Sequence, residues 1–323
     1  MHAVKLHVNS ARKRITMHGH WRTRLLVLAM LATVLCSFVL NVVHSLQRED
    51  STVHDQVVGD SGQERGRMTT EIFRTKQYRK MLQKLSYQEC IASKQQSKTL
   101  GGYCLPEDLR SAKQKYYPFD TALAAHIYQY VLRAGDTVTD LGCGPGHYGE
   151  YWLGVAHKSQ KLLYYRGFDG AANVDTITDG FVDYLDLTEN VEDQYYLWDK
   201  NVSFWSSQGH DLHAYRNTIS RSQVVMSLEV LEHVPKSEER KVLDNLIELV
   251  QRTLILSWAV PKQGGQHHVN ERSNDYVLSL MQTRYGLKYC ETVSLQLRLA
   301  STLPWFKNTI FVFAKVHGNE TAC

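Results

Sequence analysis

Ten residues beginning at Asp140 read Asp-Leu-Gly-Cys-Gly-Pro-Gly-His-Tyr-Gly, a glycine-rich turn between the apolar run TVTDL and a stretch with helical periodicity. Small residues let a backbone turn tightly and approach a ligand closely. The G-x-G-x-x-G embedded at Gly144, Gly146 and Gly149 also fits the dinucleotide pattern, which alone is a weak signal. The flanking acids separate the ligand classes. Asp140 stands two positions before Gly142, and Asp169 follows the next apolar run, LLYYRGF. A carboxylate beside the glycine turn repels a pyrophosphate and attracts an ammonium. A carboxylate at the end of the second strand accepts ribose hydroxyls. A third run, Ser227-Leu-Glu-Val-Leu-Glu-His-Val-Pro235, ends a further apolar strand.

A second group of chemistry-bearing residues lies downstream, in WAVPKQGGQHHVNERSNDY. Loops at the carboxyl ends of parallel strands face the ligand crevice. His268 is the first candidate for a general base, because an imidazole titrating near neutrality removes a hydroxyl proton efficiently. His233, in LEHVP, is its rival. Asn270 and Arg272 are candidates for positioning a polar acceptor. Trp305 and Phe306 are candidate walls of an acceptor pocket, and Tyr116, Tyr117 and Phe119 candidate covers for a cationic ligand. There is no C-x-x-C, and no metal is expected.

DLGCGPGHYG, GFDGA and SLEVLEHVP together resemble the glycine-rich, acidic and post-fourth-strand motifs of class I S-adenosylmethionine-dependent methyltransferases, particularly the broad type 11 group. The resemblance covers roughly residues 120–315. It implies S-adenosyl-L-methionine as cofactor, with Asp140, Gly142, Gly144 and Gly146 on its methionine side. It implies Asp169 at the ribose, Gly170 and Asp186 at the adenine, and Leu228 and Glu229 flanking the ligand after the fourth strand. The expected reaction is methyl transfer to a hydroxyl of a small-molecule or glycan acceptor. The alternatives are a lipid or protein acceptor, or a non-catalytic cofactor-binding module of the same fold. An NAD-dependent reductase is disfavoured by Asp140 and by the lack of a Tyr-x-x-x-Lys pair after the fourth strand.

The elements that must position these residues alternate strand and helix. Strands are predicted at Thr137–Leu141, Leu162–Phe168, Phe181–Leu187, Gln223–Leu228 and Thr253–Trp258, with a C-terminal hairpin of Lys288–Leu297 and Thr309–Lys315. Helices are predicted over 69–97, from Asp120 toward Gly135, after the glycine turn, from a Ser237 cap, and over 273–285. Residues 188–221 read as helix plus an inserted loop. The expected fold is α/β, a Rossmann-like, seven-stranded, mostly parallel sheet with an antiparallel C-terminal hairpin, preceded by a transmembrane helix and a stem.

Net charge is +4, yet six Lys and Arg precede Leu25 with no acid among them. Without that tail the chain is near neutral, which gives no reason to expect nucleic acid as a partner. Leu25–Val43 carries no charge and is long enough, as a helix, for a thin bilayer. The segment preceding it is too long for a typical signal peptide, and no A-x-A site follows. The division expected is a basic cytosolic tail (1–24), a signal anchor (25–43), a stem (44–68), a helical extension (69–119) and the catalytic domain (120–317). The positive-inside rule turns the domain to the lumenal side, and the short span favours the Golgi or endoplasmic reticulum. Glycosylation tripeptides at Asn201 and Asn319 fit that placement, as does a disulfide between Cys90 and Cys104.

Overall fold

The pentapeptide Thr137–Leu141 is buried at every position and forms β1, the central strand of the sheet. The structure, a computed structural model, describes residues 62–92, 104–105, 118–161, 163–197, 205–207, 217–265, 267–316 and 323. The basic tail, the apolar segment 25–43, most of the stem, Tyr116, Tyr117, Asn201 and Asn319 lie outside the described residues. Among those described, no helix is long and apolar enough to cross a membrane.

Helix α1 (Gly62–Ala92) comes first and begins within the expected stem. Helix α2 (Thr121–Tyr130) starts where predicted, because the Asp120 carboxylate accepts the Leu123 N–H as an N-cap. The same carboxylate accepts from the Ser301 hydroxyl and from the N–H groups of Thr302 and Leu303, tying the helix start to the C-terminal segment. After β1 come α3 (His147–Lys158), β2 (Tyr164–Asp169) and β3 (Val182–Tyr184). The inserted region contributes three short strands: β4 (Tyr196–Leu197), β5 (Trp205–Ser206) and β6 (Thr218–Ile219). Then follow β7 (Ser222–Ser227), α4 (Glu239–Glu248), β8 (Val250–Ser257), α5 (Asn274–Ser279), β9 (Lys288–Tyr289), α6 (Glu291–Ala300) and β10 (Ile310–Ala314).

The main sheet runs β3-β2-β1-β7-β8-β10-β9, with β5 paired to β2. Strands β3, β2, β1, β7 and β8 are parallel, and β10 is antiparallel to both β8 and β9. Both faces are covered. Val138, Val224, Met226, Ile255 and Val312 enter one core, and Leu141, Val225, Leu254, Leu256, Phe311 and Phe313 enter the other. This period of two with apolar residues on both sides is why the central strands read as continuous apolar runs.

Three expectations need correction. Of Lys288–Leu297, expected as a hairpin strand, only Lys288–Tyr289 is strand, and the rest from Glu291 on lies in helix α6 (Glu291–Ala300). The alternation L-Q-L-R-L imitates a strand, but Leu295 and Leu299 are exposed while Ser294 and Leu297 are buried against β10. The Ser294 hydroxyl accepts the Val312 N–H, and the Arg298 guanidinium donates to the Ile310 carbonyl, so the helix is fastened to β10 by side chains. The cap expected from Ser237 is also absent. The Pro235 carbonyl accepts the N–H groups of Glu238 and Glu239, and α4 begins at Glu239. The third concerns Cys290, which joins Cys323 in a disulfide instead of lying within a strand. Cys90 and Cys104 are bonded, as the sequence suggested.

Helix α1 crosses the carboxyl-end side of β2 and β3. Arg79 donates to Asn217 and stacks 4.0 Å above the Tyr195 ring, and Gln83 donates to Asp175 and to the Ala172 carbonyl. Leu82 packs against the small core of Val174, Val182 and Tyr184. The helix therefore walls a crevice above the strand ends.

Candidate functional site

Strand order reverses between β2 and β7 on either side of β1, and ligand crevices open at the carboxyl ends of strands at such a switch point. A cavity of about 310 Å³ lies there. Gly142 enters it from the end of β1, Asp169 and Gly170 from β2, Asp186 from β3, and Glu229, Val230 and His233 from β7, with Leu82, Leu85 and Glu89 of α1 opposite. Its size suits a small organic ligand.

The glycine turn is shaped by contact. Gly142 has φ +75°, and its N–H donates to the Phe168 carbonyl at 2.7 Å. A Cβ placed there would lie 2.3 Å from Cγ2 of Val230, across the mouth of the cavity. Gly146 has φ +83°, and a Cβ there would lie 2.8 Å from Phe181 and 2.9 Å from Val182, so the turn presses onto β3 at the start of α3. Asp169 knits the turn together: one carboxylate oxygen accepts the Gly144 N–H at 2.7 Å and the other the Ala171 N–H at 2.8 Å. Each oxygen keeps a second lone pair, enough to accept a ribose hydroxyl.

Asp140 lies behind the turn. It is buried, accepts the Tyr165 hydroxyl at 3.1 Å, and is not among the residues lining the cavity. Burial pushes its carboxyl up to about 8, helped by the negative charge of Asp169 and opposed by the Tyr165 hydrogen bond. Burial likewise raises Asp169, and Cys143 between them is raised by burial and by both acids. Five carboxylates line the cavity, from Glu89, Asp169, Asp186, Glu189 and Glu229, and no Lys or Arg is among the described lining residues.

The structure brings together Gly142, Asp169, Gly170, Asp186 and Glu229. Gly144, Gly146 and Leu228 support the turn and strand end without lining the cavity. Asp186 accepts both the N–H and the hydroxyl of Thr188, a local turn, while still facing the cavity. Glu229 adopts φ +56°, a left-handed conformation unusual for a side-chain-bearing residue. The Ser257 hydroxyl donates to its carboxylate at 2.8 Å and accepts its N–H at 2.7 Å, which holds that conformation.

Asn270 and Arg272, expected to meet an acceptor, are instead committed to Glu239 of α4. Asn270 Nδ2 donates at 3.0 Å, Arg272 Nε and Nη2 at 2.8 and 2.5 Å, and the Tyr276 hydroxyl donates as well. Burial opposes ionisation of Glu239, but these four donors together hold its carboxyl below the usual range. Phe119 packs edge-on to Tyr148 of α3, and Phe306 belongs to the core, so neither faces the cavity.

His233 and His268 do come together, with ring centroids 5.0 Å apart at 83°. The backbone dictates this: the Glu232 carbonyl accepts the N–H groups of Val269 and Asn270 at 2.8 and 3.0 Å. Glu271 faces Nδ1 of His268 at 3.3 Å. Burial, with the neighbouring His268 adding to it, depresses His233 to about 4, so its ring is neutral at physiological pH. Glu232, within the SLEVLEHVP run, is a residue that the sequence alone does not single out. It is fully buried, and burial beside Glu229 pushes its carboxyl up to about 9.

No protein-family model matches the chain, and no curated protein matches it. Among solved structures it is similar to magnesium protoporphyrin IX methyltransferase of Synechocystis with bound SAH, at 14% identity over 65% of this chain and 86% of that one, TM-score 0.38. It is also similar to a TehB-like SAM-dependent methyltransferase from Corynebacterium glutamicum, at 14% identity over 65% and 93%, TM-score 0.40. A third is the CurJ carbon methyltransferase, at 13% identity over 66% and 60%, TM-score 0.43. Overlaps this partial leave the reading of the site to its own geometry.

Proposed function

We propose that the chain binds S-adenosyl-L-methionine and transfers its methyl group to a hydroxyl of a small-molecule or glycan acceptor. The observation that carries this is the charge of the cavity: five carboxylates and no Lys or Arg among the described lining residues, at the switch point of a parallel sheet. A dinucleotide brings a pyrophosphate, which that lining repels. Adenosylmethionine brings a sulfonium and an ammonium, which it attracts. Asp169 is the ribose acceptor, Gly170 and Asp186 flank the adenine, and Gly142, packed against Val230, lines the methionine side.

The ligand supplies an electrophilic methyl group on a sulfonium centre. The protein's part is to hold the acceptor oxygen in line with that methyl, where positioning contributes much of the rate. His233 lines the cavity with a neutral ring, and His268 stands next to it with Glu271 on its Nδ1. Of the two, His268 is the one suited to receive the acceptor's proton, because burial makes the His233 ring a weak base.

A lumenal setting in the secretory pathway is part of the same proposal. It is supported by the apolar segment 25–43 behind a basic tail, by the tripeptides at Asn201 and Asn319, and by two disulfides, Cys90–Cys104 and Cys290–Cys323. The test is calorimetric titration of the purified protein with adenosylmethionine and, separately, NADH. Adenosylmethionine is expected to bind at micromolar concentration, with binding lost in Asp169→Ala and none for NADH. A folded protein that ignores adenosylmethionine refutes the proposal.

A further inference from the structure

We infer that Glu232, His233 and His268 form a binding site for a divalent metal ion at the edge of the cavity. One donor atom from each of the three lies within 4.8 Å of the others. Glu232 is fully buried, and neither carboxylate oxygen has a hydrogen-bond partner. No Lys or Arg among the described residues pairs with it. The nearest polar neighbour of this buried carboxyl is a second carboxyl, that of Glu229, a costly arrangement that a coordinated cation relieves.

The surroundings are those of a ligand set. Nδ1 of His268 faces the Glu271 carboxylate at 3.3 Å, and Nδ1 of His233 faces the His267 carbonyl at 3.3 Å. Partners on one ring nitrogen orient an imidazole and leave the other nitrogen to the metal. Glu229, held by Ser257, stands beside Glu232 and offers a further oxygen. Gly265 lies against the His268 ring, where a Cβ would fall 2.2 Å from Nε2, so the loop fixes the ring closely.

Distances permit coordination after a small contraction. Metal–donor bonds of ~2.1 Å set tetrahedral donors ~3.4 Å apart, so the cluster must close by ~1.4 Å at most from its 4.8 Å limit. Two imidazoles with one or two carboxylates suit first-row divalent ions such as zinc or manganese and disfavour calcium, which takes oxygen donors alone. Three protein donors also leave positions open, and His233 lines the cavity, so an acceptor oxygen can meet the ion there. With an ion bound, His268 serves as a ligand and no longer as a proton acceptor. The inference stands on the cluster's own geometry and does not require the methyl-transfer reading.

The experiment is calorimetric titration of chelator-stripped full-length protein with zinc chloride and with manganese chloride, with and without adenosylmethionine. The expected result is one equivalent of tight binding for at least one ion. It should weaken at least tenfold in each of Glu232→Gln and His268→Ala, while circular dichroism and the urea midpoint show both variants folded. Should one variant fail to fold, His233→Asn provides the comparison, since that side chain is only partly buried. Binding of one equivalent that survives these substitutions places the ion elsewhere, for example on the histidine-bearing N-terminal tail, and overturns the inference. So does a folded wild-type protein that takes up neither ion. Ion binding without adenosylmethionine binding sustains this inference while refuting the methyl-transfer proposal, so the two fail separately.

Discussion

Gly142→Ala tests the cofactor turn most directly. The residue has φ +75°, where an L-side chain costs roughly 1–2 kcal/mol. Its new Cβ would also sit 2.3 Å from Val230 Cγ2, far inside contact distance, and relieving such overpacking typically costs about 1–3 kcal/mol. Together they predict a loss of ~2–5 kcal/mol in unfolding free energy. Val230 lines the cavity, so displacing it should also weaken adenosylmethionine binding at least tenfold. The two costs can be separated, because only the clash involves Val230. In Gly142→Ala/Val230→Ala the severe overlap with the Val230 methyl groups is gone and the backbone strain remains, so a double-mutant cycle should show a favourable coupling of about 1–3 kcal/mol. Urea unfolding followed by tryptophan fluorescence gives the stabilities, and calorimetry the affinities. A single mutant within ~0.5 kcal/mol of wild type, binding normally, would refute the close packing of the turn on the β7 loop.

Two further outcomes follow from the charges. Asp140 has a folded-state pKa raised to about 8, so it opposes folding progressively as pH rises from the unfolded carboxyl value through 8. Asp140→Asn should therefore stabilise the unliganded protein above pH ~5, by about 1 kcal/mol or more at neutral pH. Urea unfolding at a series of pH values checks this, and a stability difference that does not grow with pH defeats it. Arg272→Ala strips Glu239 of its ion-pair partner and should cost about 2–4 kcal/mol. Hydrogen exchange should then quicken across residues 259–272, and unchanged protection there would show that Glu239 does not anchor the loop.

The sequence exposes the parts of this molecule in which local chemistry and tertiary role coincide. TVTDL, QVVMS and TLILS are apolar at consecutive positions because their strands are covered on both faces, so their type and order were readable. Asp169, Gly170 and Asp186 reach the cavity because each lies at or just past the end of a strand, a position visible in the sequence. ETVSLQLRLA misleads because its alternation is real, while its conformation is decided by Ser294 and Arg298 meeting β10, partners remote in sequence. The loop HHVNERS misleads in a related way. Asn270 and Arg272 look like substrate ligands, but Glu239 lies more than thirty residues earlier and its buried carboxylate claims them. Glu232 shows the converse. Next to a histidine near a helix start it reads as a solvated charge, and only the fold reveals it as buried without a partner.

The same anchoring explains why His268 is held firmly on a loop containing two glycines. From below, Glu239 grips Asn270, Arg272 and Tyr276. From the side, the Glu232 carbonyl takes two consecutive N–H groups, those of Val269 and Asn270. At the tip, the Glu271 carboxylate accepts the N–H groups of Lys262 and Gly264 at 2.7 and 2.9 Å, folding the loop back on itself. Three independent attachments flank a single imidazole, and Glu271 also faces that imidazole directly. Loops that need only connect two elements are seldom tied this way, since each ordered residue costs about 1–2 kcal/mol of backbone entropy. The attachments are set on both sides of His268, which makes the position of its ring, rather than the path of the chain, the thing that the loop preserves. Glu239 belongs to that purpose as an anchor: it touches neither the cavity nor the histidines, and it fixes the residues on which the placement of His268 depends.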